Sequence, residues 1–105
     1  KALRLVEENM ENPEFSVNNL CDDLGMSRSQ LYRKFESITG LTPNDFIRSV
    51  RLKRAAQLLR GSSYNISEIS DRVGFNSIKY FNKYFKEEFG FTPTQYRSNG
   101  SGETK

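Results

Sequence analysis

The sequence has 105 residues, a net charge of +3 and no histidine. This length suits one domain, or two very small units that share a core. No apolar run approaches the roughly 18 residues of a membrane-spanning helix, and no secretory signal is visible. A single cysteine, the lack of histidine and scattered carboxylates argue against a disulfide, a zinc site or a Cys–His nucleophile. We therefore expect no catalytic residue, no metal and no other cofactor.

The charge is divided unevenly along the chain. Residues 1–23 hold two bases and six acids, whereas residues 24–105 hold 14 bases and seven acids. A basic body of this kind suggests a polyanionic partner. Because the chain begins without methionine and inside an apparent helix, we expect it to be part of a longer protein.

A first unit is predicted over residues 1–41. Apolar spacing predicts a lead-in helix over residues 2–10, which Asn12 and Pro13 end. A short helix over residues 17–24 and a longer one over residues 27–40 follow, separated by a glycine-containing turn. Such a pair is typical of a helix-turn-helix. The side chains expected to face its core are Val17, Leu20, Cys21, Leu24, Leu31, Phe35 and Ile38.

A central linking helix is predicted over residues 42–61. Thr42 at the N-cap and Pro43 at the first helical position give it a strong start. Opposite apolar faces at its two ends indicate that it lies between two packed units; the alternative is a single wide core. The two faces consist of Phe46, Ile47 and Val50, and of Leu52, Ala55, Ala56 and Leu59. Some bases of this helix are expected to pair with acids of the first two helices: Arg48, Arg51, Lys53, Arg54 and Arg60.

A second unit, residues 62–98, repeats the first at an offset of about 50 residues. A short helix over residues 66–73 is followed by a longer one from Ser77, with Phe81 and Phe85 at the core positions. A last helix is predicted over residues 93–97, and residues 99–105 are predicted to be a disordered polar tail. The predicted fold is all-α, with about seven helices in two homeodomain-like helix-turn-helix subdomains joined by the central helix.

The outward face of the second helix of each unit is basic or polar, and acids come only late in each helix. An α-helix of this composition suits the major groove of B-DNA, where side-chain donors and acceptors read base edges. A solvated face is the alternative for one such helix, but its repetition favours DNA. Among the nearby apolar side chains, Tyr84 is expected to pack, while Tyr80 could pack or lie at the groove. Ile78 would contact a thymine methyl or cover the turn, with covering favoured.

This layout resembles the DNA-binding domain of AraC/XylS-type transcription activators over residues 16–97. The run over residues 51–59 is similar to the central helix of that family. Residues 15–17, 26–34 and 46–53 are also similar to output domains of Bacteroidetes hybrid two-component regulators, which implies a sensor, a kinase and a receiver upstream. The most specific motifs are Val73-Gly74-Phe75-Asn76, Tyr80-Phe81, Phe85-Lys86, Phe89-Gly90, Thr92-Pro93 and Tyr96-Arg97.

The resemblance implies that the two longer helices enter major grooves about one helical turn, roughly 34 Å, apart on one face of the duplex. Carried over by position, base reading falls to Ser29, Tyr32, Arg33, Lys79, Asn82 and Lys83. Contacts to the DNA backbone fall to Ser27, Arg28, Ser77, Tyr80, Lys86 and Arg97. Two departures from the family stand out. Cys21 occupies a position that is usually alanine, and Ser29 is small for a base reader.

The expected function is sequence-specific binding of double-stranded DNA in transcription regulation, in the bacterial cytoplasm, with no catalysis by this fragment. RNA polymerase is a further candidate partner, dimerisation through upstream regions is open, and no membrane contact is expected. The alternative is a helical protein–protein docking module, which would bind through an apolar face and tolerate salt. An enzyme would need an acid–base constellation, and an RNA-binding domain would expose aromatic residues on a sheet; neither pattern is visible.

Overall fold

A computed structural model describes the backbone of residues 2–102 and the side chains of residues 2–98. The described part is all-α, as predicted, and contains no strand. Its seven helices are α1 (Ala2–Glu8), α2 (Val17–Leu24), α3 (Arg28–Thr39), α4 (Pro43–Gly61), α5 (Ile66–Arg72), α6 (Ile78–Phe89) and α7 (Pro93–Gly102).

The helix ends differ from the sequence prediction by two or more residues in two places. Helix α1 stops at Glu8 instead of Met10, and α7 continues to Gly102 instead of ending near Arg97. Part of the predicted tail therefore belongs to α7, and residues 103–105 lie outside the described residues. Such differences arise because the last turn of a helix depends on tertiary contacts more than on its own residues.

Polar side chains begin the helices where the sequence predicted. The Oγ atom of Ser27 accepts a hydrogen bond from the Gln30 amide at 3.2 Å, and the Ser27 amide donates one to Oε1 of the Gln30 side chain at 3.0 Å. Asn65 and Glu68 form the same reciprocal pair at the start of α5. The turn of each helix-turn-helix contains a glycine in the left-handed region, Gly25 with φ 67° and Gly74 with φ 83°. These local signals therefore fix where α3 and α5 begin and where the two turns lie.

The fold contains two apolar cores. The first packs α1, α2, α3 and the beginning of α4, and the second packs the rest of α4 with α5 and α6. The buried residues of the first core are Val6, Phe15, Val17, Leu20, Cys21, Leu31, Phe35 and Ile47. Those of the second are Leu52, Ala55, Ala56, Leu59, Ile69, Val73, Phe81 and Phe85. Helix α4 thus serves both cores with opposite faces, and the two-faced interpretation of its sequence is confirmed.

One predicted core residue lies outside both cores. Ile38 is 70% exposed, although it shares the helical face of Leu31 and Phe35. Periodicity identifies that face but does not say how far along the helix another element covers it. At the end of α3 no element does so. The internal repeat contained the signal, because the position equivalent to Ile38 in the second unit is Glu88.

Arg51, which is only 5% exposed, joins the two units through its guanidinium. Its Nη1 atom donates to the carbonyls of Met10 at 2.6 Å and Val73 at 2.7 Å, and its Nη2 atom donates to Asn12 at 2.9 Å. Desolvation lowers the pKa of Arg51 from its ordinary value, but a guanidinium remains charged in proteins. The connection between α1 and α2 is thereby tied to the turn between α5 and α6.

The prediction that bases of α4 pair with acids of the first two helices is wrong for the described residues. Arg48 pairs with Asp45 of its own helix at 2.7 Å, and Arg51 bonds only to carbonyls. Two ion pairs involve acids of residues 2–23, Glu8 with Arg4 at 3.2 Å and Glu11 with Arg72 of α5 at 3.9 Å, and neither involves a base of α4. The charge excess of the central helix is therefore not cancelled by the acidic start of the chain.

Candidate nucleic-acid interface

Helices α3 and α6 hold the candidate interface, because their inner faces fill the two cores and their outer faces do not. Ser27 and Ser77 start these helices as N-caps, accepting bonds from the amides of Gln30 and Tyr80 at 3.2 and 3.4 Å. The cap uses an acceptor site of each hydroxyl. The first amides of each helix have no acceptor within the helix, and they are the groups through which a phosphate could bind here.

The outer face of α3 presents Ser29 and Arg33. Both side chains are exposed, and neither forms a hydrogen bond or ion pair within the described part of the chain. Arg28 is also exposed, but its Nη1 atom donates to Asn18 of α2 at 2.8 Å, which orients the guanidinium beside the start of α3. Arg33 thus has five donors available for a ligand, while Arg28 is partly committed to the protein.

Tyr32 lies at the edge of this face. Its ring is half-buried against the first core, and its hydroxyl accepts a 3.4 Å hydrogen bond from the Asn44 side chain of α4. The Arg28 guanidinium lies 5.6 Å from the ring centroid. Only the rim of Tyr32 can therefore meet a ligand, and Arg33 is left as the main base-reading candidate of α3.

The outer face of α6 is cationic along three turns. Lys79, Lys83 and Lys86 are exposed, with exposed Asn82 between them. Lys79, Asn82 and Lys86 form no side-chain hydrogen bond or ion pair with any described residue, and Lys83 contacts only the Tyr84 ring, at 5.5 Å. A face with three ammonium groups and one amide suits a polyanion with hydrogen-bonding edges.

The neighbouring aromatic and apolar side chains of α6 differ from one another. Tyr84 packs on the second core under the Arg48 guanidinium, 4.3 Å from the ring centroid, so its predicted packing is confirmed. Tyr80 is 56% exposed, with its ring 6.4 Å from that of Tyr84. Ile78 is 45% exposed and packs on neither core, and the turn-covering role favoured from the sequence stays a prediction.

Arg97 is engaged inside the protein. Its Nε atom donates to the Leu59 carbonyl at 3.0 Å and its Nη2 atom donates to the Ser62 carbonyl at 3.1 Å. These bonds satisfy carbonyls at the C-terminal end of α4 and fasten α7 there. The arrangement supports a structural role for Arg97 and offers no support for the predicted phosphate contact.

The acids near the interface lie at the far ends of the two helices. Glu36 and Glu87 are exposed in the second halves of α3 and α6. Glu88 accepts a 3.1 Å hydrogen bond from the Ser49 hydroxyl of α4, which turns it toward the central helix. The starts of both helices are thus free of carboxylates, and like-charge repulsion would not oppose a phosphate backbone there.

Sequence reasoning missed Arg51, which it treated as one of several surface bases. The signal was its position between Val50 and Leu52, where the apolar surface of α4 crosses from one face to the other.

Among the described residues no group of three or more Cys, Asp or Glu could hold a metal ion. Within that same range, no helix has both the length and the apolar character to cross a bilayer.

Comparison with known proteins identifies the type of domain to which this chain is similar. A family model described as a helix-turn-helix domain matches residues 20–99. The chain is 50% identical over 101 residues to histidine kinase P4 of Formosa agariphila, a match that covers 96% of this chain and 7% of that protein. The curated relatives compared are all longer, and the chain spans about a third or less of their length.

Solved structures share the fold. A transcriptional regulator of Chromobacterium violaceum with an AraC-type DNA-binding domain matches with a TM-score of 0.88 and 32% identity, over 97% of this chain and 90% of that one. The DNA-binding domain of AdpA, solved in complex with a target DNA, matches with a TM-score of 0.85 and 28% identity. That match covers 100% of this chain and 98% of the other.

Proposed function

Because the chain belongs to the AraC/XylS-type family of helix-turn-helix DNA-binding domains, we propose that it is the sequence-specific DNA-binding output domain of a longer regulator of transcription. In this proposal α3 and α6 enter neighbouring major grooves on one face of a double helix. The histidine kinase relative supports the view that this domain belongs to a longer two-component protein, whose sensor and kinase lie outside these 105 residues. RNA polymerase contact, dimerisation through upstream regions and residence in the bacterial cytoplasm belong to the same proposal.

The observation that carries this proposal is that α3 and α6 both have one buried apolar face and one exposed polar or cationic face. Each helix buries two large apolar side chains in its own core, Leu31 and Phe35 in α3, and Phe81 and Phe85 in α6. Each leaves a polar or cationic outer face with few internal contacts. The buried positions of α3 and α6 are occupied by large apolar side chains in both units, whereas every named position of the outer faces differs between them. The outer faces are therefore the part suited to recognition.

The dimensions of the protein are consistent with insertion of α3 and α6 into two major grooves. The protein extends 44 Å along its longest axis and 24 and 22 Å across it. Two helices centred one turn of B-DNA apart need roughly 34 Å plus about 10 Å for the width of a helix. The longest dimension of the protein is therefore large enough to accommodate two such helices on one duplex.

Within the interface we assign base reading first to Arg33, Lys79, Asn82 and Lys83, with smaller contributions from Ser29 and Tyr32. Phosphate contacts are assigned to Lys86, Tyr80, Arg28 and the N-terminal amides that follow Ser27 and Ser77. Arginine pairs with guanine and asparagine with adenine through two hydrogen bonds each, so α3 would select G and α6 would select A.

Selection of bound duplexes from a random pool, at a stated salt concentration, tests the proposal. We expect two short sequence elements with centres about one helical turn apart, and affinity that falls steeply with added salt. Selection of no sequence, or binding that is insensitive to salt, would favour the protein–protein docking module instead.

A further inference from the structure

Ile78 is an apolar side chain at the start of a cationic helix. It is the first residue of α6, 45% exposed, and packs on neither core. Its immediate neighbour Lys79 is also exposed. Nearly half of its apolar surface is therefore available to a ligand.

The first unit provides a comparison at the equivalent position. The residue corresponding to Ile78 at the offset of 50 is Arg28, which is hydrogen-bonded to Asn18. A polar side chain is thus compatible with the first position of such a helix. The apolar choice in α6 is therefore specific to the second unit, and it lies at the end of the helix that meets base edges in helix-turn-helix complexes.

We propose that Ile78 contacts the C5-methyl group of a thymine, so that α6 selects a T·A pair next to its N-terminus. This inference rests on the proposed function and names part of its target. The thymine methyl is the one apolar group on the major-groove edges of the four bases, and isoleucine has no hydrogen-bonding group with which to read any other.

Asn82 extends the same preference. It lies four residues after Ile78 and therefore one turn further along the same face of α6. Its side chain is exposed and unpaired among the described residues. An amide in the major groove pairs with N6 and N7 of adenine. The element bound by α6 is thus A·T-containing, with its thymine contacted by Ile78 and an adenine further along contacted by Asn82.

Replacement of thymine by deoxyuridine in the selected duplex tests the contact, because it removes the methyl group and changes nothing else on the groove edge. Each thymine of the α6 element is replaced in turn, and the dissociation constant is measured. Burial of one methyl group predicts that the wild type loses affinity about three- to fivefold at one thymine. Ile78→Ala should bind the thymine duplex about as weakly and bind both duplexes equally well.

Ile38→Ala is the matched control, since Ile38 is also an exposed isoleucine, 70% accessible, but lies at the far end of α3. This variant should keep the full preference for thymine over deoxyuridine. The wild-type measurement needs no variant, so the inference stays testable even if Ile78→Ala folds poorly.

Three results would overturn the inference while leaving the proposed function intact. The selected α6 element could lack thymine, deoxyuridine could bind as well as thymine at every position, or Ile78→Ala could retain the wild-type preference. Selection of no sequence at all would overturn the proposed function, and the thymine contact with it.

Discussion

The guanidinium of Arg51 lies against the backbone of Gly74, where a Cβ atom would come within 2.6 Å of both Cζ of Arg51 and the carbonyl oxygen of Met10. Gly74 also has φ 83°, a conformation that side chains with a Cβ rarely adopt. Glycine is thus required at this turn for two independent reasons, one conformational and one steric. The requirement links the turn before α6 to the helix that joins the two units.

Gly74→Ala should lower the free energy of unfolding by roughly 3 kcal/mol, the sum of left-handed strain and steric conflict. Gly25→Ala is the matched control, since Gly25 occupies the equivalent turn with φ 67° and has no atom within 4 Å of its would-be Cβ. It should lose only the strain, about 1 kcal/mol. Urea unfolding of both variants measures the difference, and equal losses would contradict the steric part.

Arg51→Met should lower the free energy of unfolding by roughly 2–4 kcal/mol. It removes three hydrogen bonds from a charged donor and leaves the carbonyls of Met10, Asn12 and Val73 without their partner. Arg54→Met changes an exposed base of the same helix and should alter stability by less than about 0.5 kcal/mol. Thermal unfolding of the two variants would refute the prediction if Arg51→Met were as stable as Arg54→Met.

Arg33→Ala should weaken binding to the selected duplex by on the order of 1–3 kcal/mol and relax specificity at one base pair of the α3 element. The physical reason is the loss of a bidentate pairing with guanine O6 and N7. Binding to duplexes that carry each base at every position measures both effects. An equal loss on every sequence would show that Arg33 contacts phosphate instead.

Lys86→Ala should weaken binding to all sequences about equally and reduce the slope of log affinity against log salt by about one. An ammonium group on a phosphate releases one counterion equivalent and carries no sequence information. Titrations at several salt concentrations, on the selected duplex and on a scrambled one, measure the slope. A loss confined to the selected duplex would place Lys86 at a base.

Arg97→Ala distinguishes the structural role from the predicted phosphate contact. Loss of the bonds to the Leu59 and Ser62 carbonyls should lower the free energy of unfolding by about 2 kcal/mol. The salt slope should remain that of the wild type, in contrast to Lys86→Ala. A slope reduced by about one, with stability unchanged, would restore the phosphate assignment.

Local signals in the sequence predicted much of the fold. Thr42 caps the central helix as predicted, Ser27 and Asn65 cap α3 and α5 at their predicted starts, and Gly25 lies in the predicted glycine-containing turn with φ 67°. The internal repeat and the two apolar faces of α4 predicted that the protein has two packed units with α4 between them. These features depend on a few neighbouring residues or on periodicity, and both can be read from one sequence.

The features of the fold that the sequence did not predict depend on contacts between residues distant in the chain. Arg51 meets carbonyls 22 to 41 positions away, and Arg97 meets carbonyls 35 to 38 positions away. No local pattern distinguishes Arg97 from a solvated arginine, and the position of Arg51 between the two apolar faces of α4 does not identify the carbonyls that it binds. Ile38 was misplaced for the related reason that a helical face can extend beyond its partner.

The shared central helix makes the halves of this protein inseparable. A chain cut after Gly61 would leave Leu52, Ala55 and Leu59 largely exposed, since the residues outside α4 that pack around them lie downstream, apart from Met10. A chain that started at Pro43 would likewise strip the cover from Ile47. Each unit thus depends on the central helix to complete its core, and neither should fold as a stable protein on its own.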